Sequence, residues 1–578
     1  MPGFLITNYH HTIELQNAHT EKCVSGTIPH SNYTVQRNTL NRFMGDKLFV
    51  ENDKYIVITE GVILNSRELQ ATYGTSTLLE TVIYMREELG NTFFSAFKGG
   101  FSGAIYEKDA DLWTIYTSHT GDKAIFYTVT DDGHFAAGSQ VNYCLDALRA
   151  NDAATPEIDE KAVADMLTYG FMESDNTYSP IIKRLLPGCY LHITSDGNPH
   201  YQQYYQLPQN RVTPDTRTEN ELIEELDHRF RTAVRREFDK DVEYGYHHLA
   251  DLSGGLDSRM VSWVAACQDY RPITNLTYSL AGYLDELIAA EVSRELGTLL
   301  LFTPLDDAGF MLDIDRLVSM NFGLSLFVSI TGGQRLLETI DTDRFGIEHT
   351  GMLGDVVIGT FMQTALEQAD IVRAGMYSTT RSDLLDAYPV PIYPNQDLYM
   401  LNVRGFMGAM TTYLIRQNYV EVASPFLDVD FMEFCLSIPL EFRLNHYIYN
   451  KWLQTKYPEA ARIRWEKTAE RPGAPQWKLF MRKLVRRGIP YLKHKLGLRV
   501  AAKEKNMNPL QEWYDTNCRV RTCWDEYYRK NIDLPGIPKT LRAAARSLYT
   551  TGTVSEKAQV LTVLSSIKYY SGENTSDM

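Results

Sequence analysis

Cysteine is scarce and unpatterned. Cys23, Cys144, Cys189, Cys267, Cys435, Cys518 and Cys523 are odd in number, scattered, and never form a CxxC pair. That spacing argues against a disulfide framework or a zinc site and fits a reducing, cytoplasmic setting. Long apolar runs are missing too: no stretch approaches about 18 uninterrupted apolar residues, and polar residues follow Met1 to Asn8 where a signal peptide needs an apolar core. A soluble chain without a membrane span is expected. Positive charge is in deficit, with 57 Lys+Arg against 73 Asp+Glu and a formal net charge of −16. This balance disfavours nucleic acid or anionic lipid as a general partner.

What the chain does have is length and a change of pattern along it. Its 578 residues exceed what one core usually organises, so two domains are expected. The first 200 or so residues alternate apolar and polar in short runs, such as Tyr55-Ile56-Val57-Ile58-Thr59 and Leu112-Trp113-Thr114-Ile115-Tyr116, between Asp, Gly and Asn turns. These predict β-strands. The polar, proline-punctuated stretch Gln206 to Thr218 reads as a linker, giving a division at 1–205, 206–217 and 218–578.

A helix is expected next. Thr218 and Glu221 make a capping box, and Leu222, Leu226, Phe230, Ala233 and Val234 recur at helical spacing, with Arg231, Arg235 and Arg236 outside. Tyr244 to Leu252 predicts a strand, as does Thr274 to Leu280 ahead of a helix over Asp285 to Leu296, so the second part reads as an α/β domain with a parallel sheet.

Between the strand and the helix that follows lies Leu252-Ser253-Gly254-Gly255-Leu256-Asp257-Ser258-Arg259. Paired glycines let the backbone approach a phosphate, and the new helix offers free N–H groups and the positive end of its dipole. Ser253 and Ser258 add hydroxyl donors. A bare phosphate would repel Asp257, so a magnesium ion between carboxylate and phosphate is implied. The spacing is neither GxxxxGK(S/T) nor GxGxxG, which removes support for simple γ-phosphoryl transfer and for hydride transfer.

These residues resemble the asparagine synthetase family, whose C-terminal domain opens with LSGGxDS and belongs to the pyrophosphatase-loop ATP enzymes. The resemblance continues through Thr277-Tyr278-Ser279, Asp285-Glu286, Ala289 and Leu296-Gly297, then Thr350-Gly351-Met352-Leu353-Gly354-Asp355, then Glu421 to Asp428 (EVASPFLD), then Ile463 to Thr468. It implies that Ser253, Gly254, Gly255 and Ser258 hold the pyrophosphate moiety of ATP, that Asp257 and Asp355 share Mg2+, and that Leu252, Ser279, Thr350 and Gly351 lie near the adenosine. Lys467 takes the catalytic lysine's place and would offset charge developing in the transition state. Where the family often has a Glu or Tyr, Met352 can move no proton; the general base is then elsewhere or not required, with His349 a nearby candidate. Ala423 likewise replaces an Arg of the ExRxPFLD block.

The first half resembles the family's glutaminase domain through Thr59 to Leu69 (TEGVILNSREL) and Ser118 to Tyr127 (SHTGDKAIFY). The resemblance implies a sandwich of two sheets between helices, as in N-terminal-nucleophile hydrolases. That fold hydrolyses glutamine with a terminal cysteine thiolate. Pro2 stands there instead, Glu60 replaces the Asn of an oxyanion-hole NG pair, and the Asp expected near Thr75 to Glu80 is missing.

The function implied is an AMP-forming amide ligase that activates a carboxylate as an acyl-adenylate without its own glutamine hydrolysis, as in β-lactam synthetases and lasso-peptide cyclases. Asparagine synthesis from glutamine and an ATP-binding scaffold are the competing readings. The partners implied are a small-molecule, peptide or saccharide carboxylate and an amine donor, with no nucleic acid and no integral membrane association; a homodimer is compatible. A basic amphipathic stretch, Lys478 to Arg499, reads either as a solvated helical face or as a surface for an anionic substrate or membrane.

Overall fold

The computed structural model describes residues 2–9, 13–15, 19–151, 157–194, 197, 199–208, 217–362, 371–373, 380–474 and 507–572. The basic stretch and most of the expected linker lie outside the described residues.

The alternating runs of the first half become two six-stranded antiparallel sheets. One has the order Ile182–Arg184, Phe126–Val129, Phe135–Gly138, Gly3–Thr7, Thr34–Leu40, Cys23–Pro29. The other runs Pro199–Gln203, Cys189–Thr194, Leu112–Thr117, Phe101–Glu107, Tyr55–Gly61, Phe49–Glu51. Side chains alternate across each strand, so one strand serves two cores. Ile56 and Ile58 meet Phe4, Ile6, Val35 and Trp113 between the sheets. Val57 points the other way, onto Leu69, Val82 and Met85 of the helices Ser66–Tyr73 and Leu78–Leu89. The outer face of the first sheet packs Leu5, Phe126 and Ala136 against Tyr143, Leu148, Val163 and Leu167 of the helices Val141–Ala150 and Glu160–Tyr169. The expected helix–sheet–sheet–helix sandwich is therefore present.

The helix Glu219–Tyr244 opens on the capping box read from Thr218 and Glu221. It runs further than its sequence suggests. Tyr244 ends this helix rather than starting a strand, because Gly245 at φ 74° forms a left-handed cap and returns its N–H to Asp241 and Val242. The strand is His247–Asp251.

This strand is the centre of a five-stranded parallel sheet ordered Leu299–Pro304, Ile273–Ser279, His247–Asp251, Phe345–His349, Glu421–Ala423. The chain fills one side of the central strand and then the other. The crevice between the ends of His247–Asp251 and Phe345–His349 is thus a topological switch point, where open α/β sheets bind ligands. No described helix is long and apolar enough to cross a membrane.

Candidate functional site

Two loops leave the sheet at that crevice. The first runs from Leu252 into the helix Asp257–Cys267, the second from Thr350 into a π-helical turn, Asp355–Gly359. Their contact explains their glycines. A Cβ on Gly351 would stand 2.4 Å from the Ser258 nitrogen, and one on Gly354 would stand 2.8 Å from the Asp257 carboxyl carbon. Leu353, between them, adopts φ 62°, a left-handed conformation costly for a branched side chain.

The donors of the first loop face oxygens. Ser253 N–H donates to Ser258 Oγ (3.0 Å), and Gly255 N–H donates to Ser253 Oγ (3.1 Å). Gly254 N–H donates to the Asp285 carboxylate (2.9 Å). An anionic oxygen on a glycine N–H at a helix start is the interaction that a phosphate would make there. Burial pushes the Asp285 carboxyl up to about 6, with the Gly254 N–H acting against it.

Asp257 and Asp355 come together as expected. Asp257 Oδ2 accepts the Asp355 N–H (3.1 Å), and Oδ1 accepts the Tyr449 hydroxyl (2.8 Å). Burial, then the Asp355 carboxylate, hold Asp257 well above the usual carboxylate range, with Lys467 acting in the opposite sense. Two such carboxylates ionise together most readily around a hard divalent cation, so the donor set fits magnesium.

Lys467 reaches this site through a turn clamped over the first loop. Glu466 N–H donates to Gly254 O (3.0 Å), and the Tyr283 hydroxyl donates to Glu466 Oε1 (2.5 Å). Arg259, fully buried, donates to the carbonyls of Ala460, Ile463, Arg464 and Gly254 at 3.1, 3.1, 2.6 and 3.4 Å. Sequence reasoning assigned Arg259 no role; its place two residues after Asp257 gives it the geometry, but nothing local names its partners.

Leu252, Ser279 and Thr350 lie at the C-terminal ends of three neighbouring strands, and all are buried. Their side chains face inward. Thr350 Oγ1 bonds the Tyr413 hydroxyl (2.7 Å) and donates to Ala423 O (3.1 Å), while Ser279 Oγ donates to Leu280 O (3.1 Å). Both hydroxyls are thus engaged within the protein.

His349 is not available as a base. Its two ring nitrogens bond Glu237 (3.0 Å) and Asp241 (2.9 Å), and Phe238 stacks on the ring at 3.8 Å, all from the long helix behind the sheet. The carboxylates override the cost of burial and raise its pKa to about 9, so it stays protonated at neutral pH.

In the N-terminal domain, Glu60 is part of a cluster that the sequence did not disclose. Lys47 lies 2.7 Å from Glu421 and 3.4 Å from Glu60; Lys123 lies 2.7 Å from Glu421 and 3.7 Å from Glu60. These four side chains are only 1–4% exposed. Glu421 belongs to the edge strand of the parallel sheet, so the cluster joins the two domains. The lysines hold its carboxyl below the usual range despite burial. Pro2 is buried ahead of the first strand, and Glu60 Cγ lies 3.7 Å from where a Cβ on Gly3 would be.

Comparison with known proteins agrees with this layout. A glutamine amidotransferase domain family matches residues 43–205, and the asparagine synthase family matches residues 225–322. The second match includes the glycine loop and stops before Thr350. Asparagine synthetase (glutamine-hydrolyzing) 1 of Bacillus subtilis (strain 168) is 24% identical over 289 residues, 47% of this chain and 43% of that protein. Asparagine synthetase (glutamine-hydrolyzing) 2 of the same organism is 27% identical over 268 residues, 44% of this chain and 35% of that protein. The chain thus matches less than half the length of either relative.

Among solved structures, glutamine phosphoribosylpyrophosphate amidotransferase from B. subtilis, complexed with ADP and GMP, aligns at TM-score 0.22 and 9% identity over 52% of this chain and 59% of its own. A structure described as the allosteric regulatory enzyme of purine biosynthesis aligns at TM-score 0.23 and 10% identity over 52% and 74%. Overlaps of that size add nothing to the argument. The two domain matches, in this order, and the two curated relatives support the reading of the chain as an asparagine synthetase family member.

Proposed function

We propose that this chain is an ATP-dependent, AMP-forming amide ligase that joins a carboxylate to an amine and does not itself hydrolyse glutamine. The observation that carries the reading is the Asp257–Asp355 pair, packed against the glycine loop with Lys467 acting electrostatically on it. Ser253, Gly254, Gly255 and Ser258 exchange their internal hydrogen bonds for pyrophosphate oxygens. Asp257 and Asp355 would hold Mg2+, which would supply positive charge against the pyrophosphate leaving group. The substrate carboxylate attacks the α-phosphorus, and an amine then displaces AMP from the acyl-adenylate. Lys467 offsets the negative charge that both steps develop.

The buried Lys47–Glu60–Lys123–Glu421 cluster supports the second half of the reading. Charged side chains stand beside the start of the first strand, where glutamine hydrolysis would need a thiol and an oxyanion hole. The amine is then free ammonia, ammonia from a separate protein, or a group carried by the substrate. Glutamine-dependent asparagine synthesis, the activity in the curated relatives' names, is the second reading, favoured by the domain match over residues 43–205.

Pyrophosphate exchange into ATP, measured across a panel of carboxylic acids, tests the proposal. Exchange with at least one acid, lost in Asp257→Asn and Lys467→Ala, is expected. Equal exchange in all three proteins, or glutamate release from glutamine by the wild type, refutes it.

A further inference from the structure

Lys467 is an exposed residue on a turn, and a flexible lysine needs something to aim it. The group that meets it is His446, whose Nε2 lies 3.2 Å from Lys467 Nζ. The backbone is bent to bring it there. Asn445 and His446 adopt φ 54° and 56° in succession, left-handed conformations uncommon outside glycine, immediately before the helix Tyr447–Lys456. Strain of this kind persists where the surroundings impose it and gathers at functional sites.

The surroundings are specific. The imidazole stands edge-on to Trp465 at 5.7 Å, and Lys467 Nζ lies over the same indole at 5.4 Å. On the other side, a Cβ on Gly359 would come within 3.1 Å of His446 Nδ1, so the end of the Asp355–Gly359 turn stays bare to admit the ring. Lys467 is held between an acceptor and an aromatic face, both on elements that also border the aspartate pair.

We infer that His446 is a positioning residue: by accepting a hydrogen bond from the Lys467 ammonium at Nε2, it directs that charge at the polyphosphate of ATP. The inference rests on the ligase reading for the occupant, and adds a residue that the family resemblance did not supply.

The test is titration calorimetry of the full chain with α,β-methylene-ATP and Mg2+, alongside AMP as a ligand without the outer phosphates. Loss of one charge-assisted contact should weaken the analogue by about 5–10-fold in His446→Gly, a loss similar to that of Lys467→Ala. The double variant should be no weaker than Lys467→Ala alone. AMP binding should not change.

His446→Gly also relieves the left-handed backbone, so its melting temperature should hold or rise while affinity falls, a combination that a structural role does not give. His446→Gln, whose amide oxygen accepts from an ammonium, should recover most of the affinity. Wild-type affinity in His446→Gly, multiplying losses in the double variant, or no recovery in His446→Gln overturns the inference. Failure of the wild type to bind the analogue overturns the ligase reading, and this inference with it.

Discussion

Replacing Lys123 by methionine leaves Glu60 and Glu421 with a single cation, Lys47, in a cluster whose side chains are at most 4% exposed. The lost contacts are the 2.7 Å pair with Glu421 Oε2 and the 3.7 Å pair with Glu60 Oε1. An uncompensated charge stranded at such depth costs about 3–5 kcal/mol. Adding Glu421→Gln restores neutrality, with Lys47 still 3.4 Å from Glu60, and should recover about half of that loss.

Urea unfolding of the full chain, followed by tryptophan fluorescence, gives both values. The pH dependence is fixed by sign. Glu421 is lowered from 4.5, so its stabilisation is present above that value and is lost as pH falls through the lower folded pKa. Lys47 is raised from 10.5, so its stabilisation is present below that value and is lost as pH climbs through the higher folded pKa. The deficit of Lys123→Met should therefore stay flat from about pH 5 to 10. A single variant within about 1 kcal/mol of wild type, or a double variant less stable than the single one, would show that the cluster does not join the domains as described.

Two further outcomes follow from the sites. Asp257 is held above the carboxylate range, so its ionisation opposes folding at pH values above 3.8; Asp257→Asn should raise the melting temperature by about 2–4 °C without Mg2+, and should lose the further rise that Mg2+ with α,β-methylene-ATP gives the wild type. Pro2→Cys combined with Glu60→Asn supplies a thiol and an oxyanion-hole amide, yet Lys47 and Lys123 still pair with Glu421 beside it; glutamate release should stay at background, and measurable release would show the pocket open to glutamine.

The parts legible in the sequence are those encoded by neighbours. The alternation of Tyr55 to Thr59 gives a strand whose two faces serve two cores, and Thr218 with Glu221 gives a helix start, because each signal lies within one element. The glycine loop was legible because its donors and its carboxylate lie within six residues. The cluster of Lys47, Glu60, Lys123 and Glu421 was not, since its members come from four separate segments and each alone reads as a surface charge.

His349 shows the same limit. As a lone His ahead of Thr350-Gly351 it invites a catalytic role; Glu237 and Asp241, more than a hundred residues earlier, decide otherwise. His446 and Arg259 likewise take their roles from partners that only folding brings near.

One guanidinium, that of Arg259, ties the segment 460–464 to the carbonyl of Gly254. A lysine, with three donors on a tetrahedral head, has no equivalent way to reach four carbonyls at once. The glycine loop and the arm bearing Lys467 are thus tied together by one buried side chain. In the proposed ligase, adaptation to different acids would then fall to the facing stretch from Leu353, held at φ 62°, to Gly359.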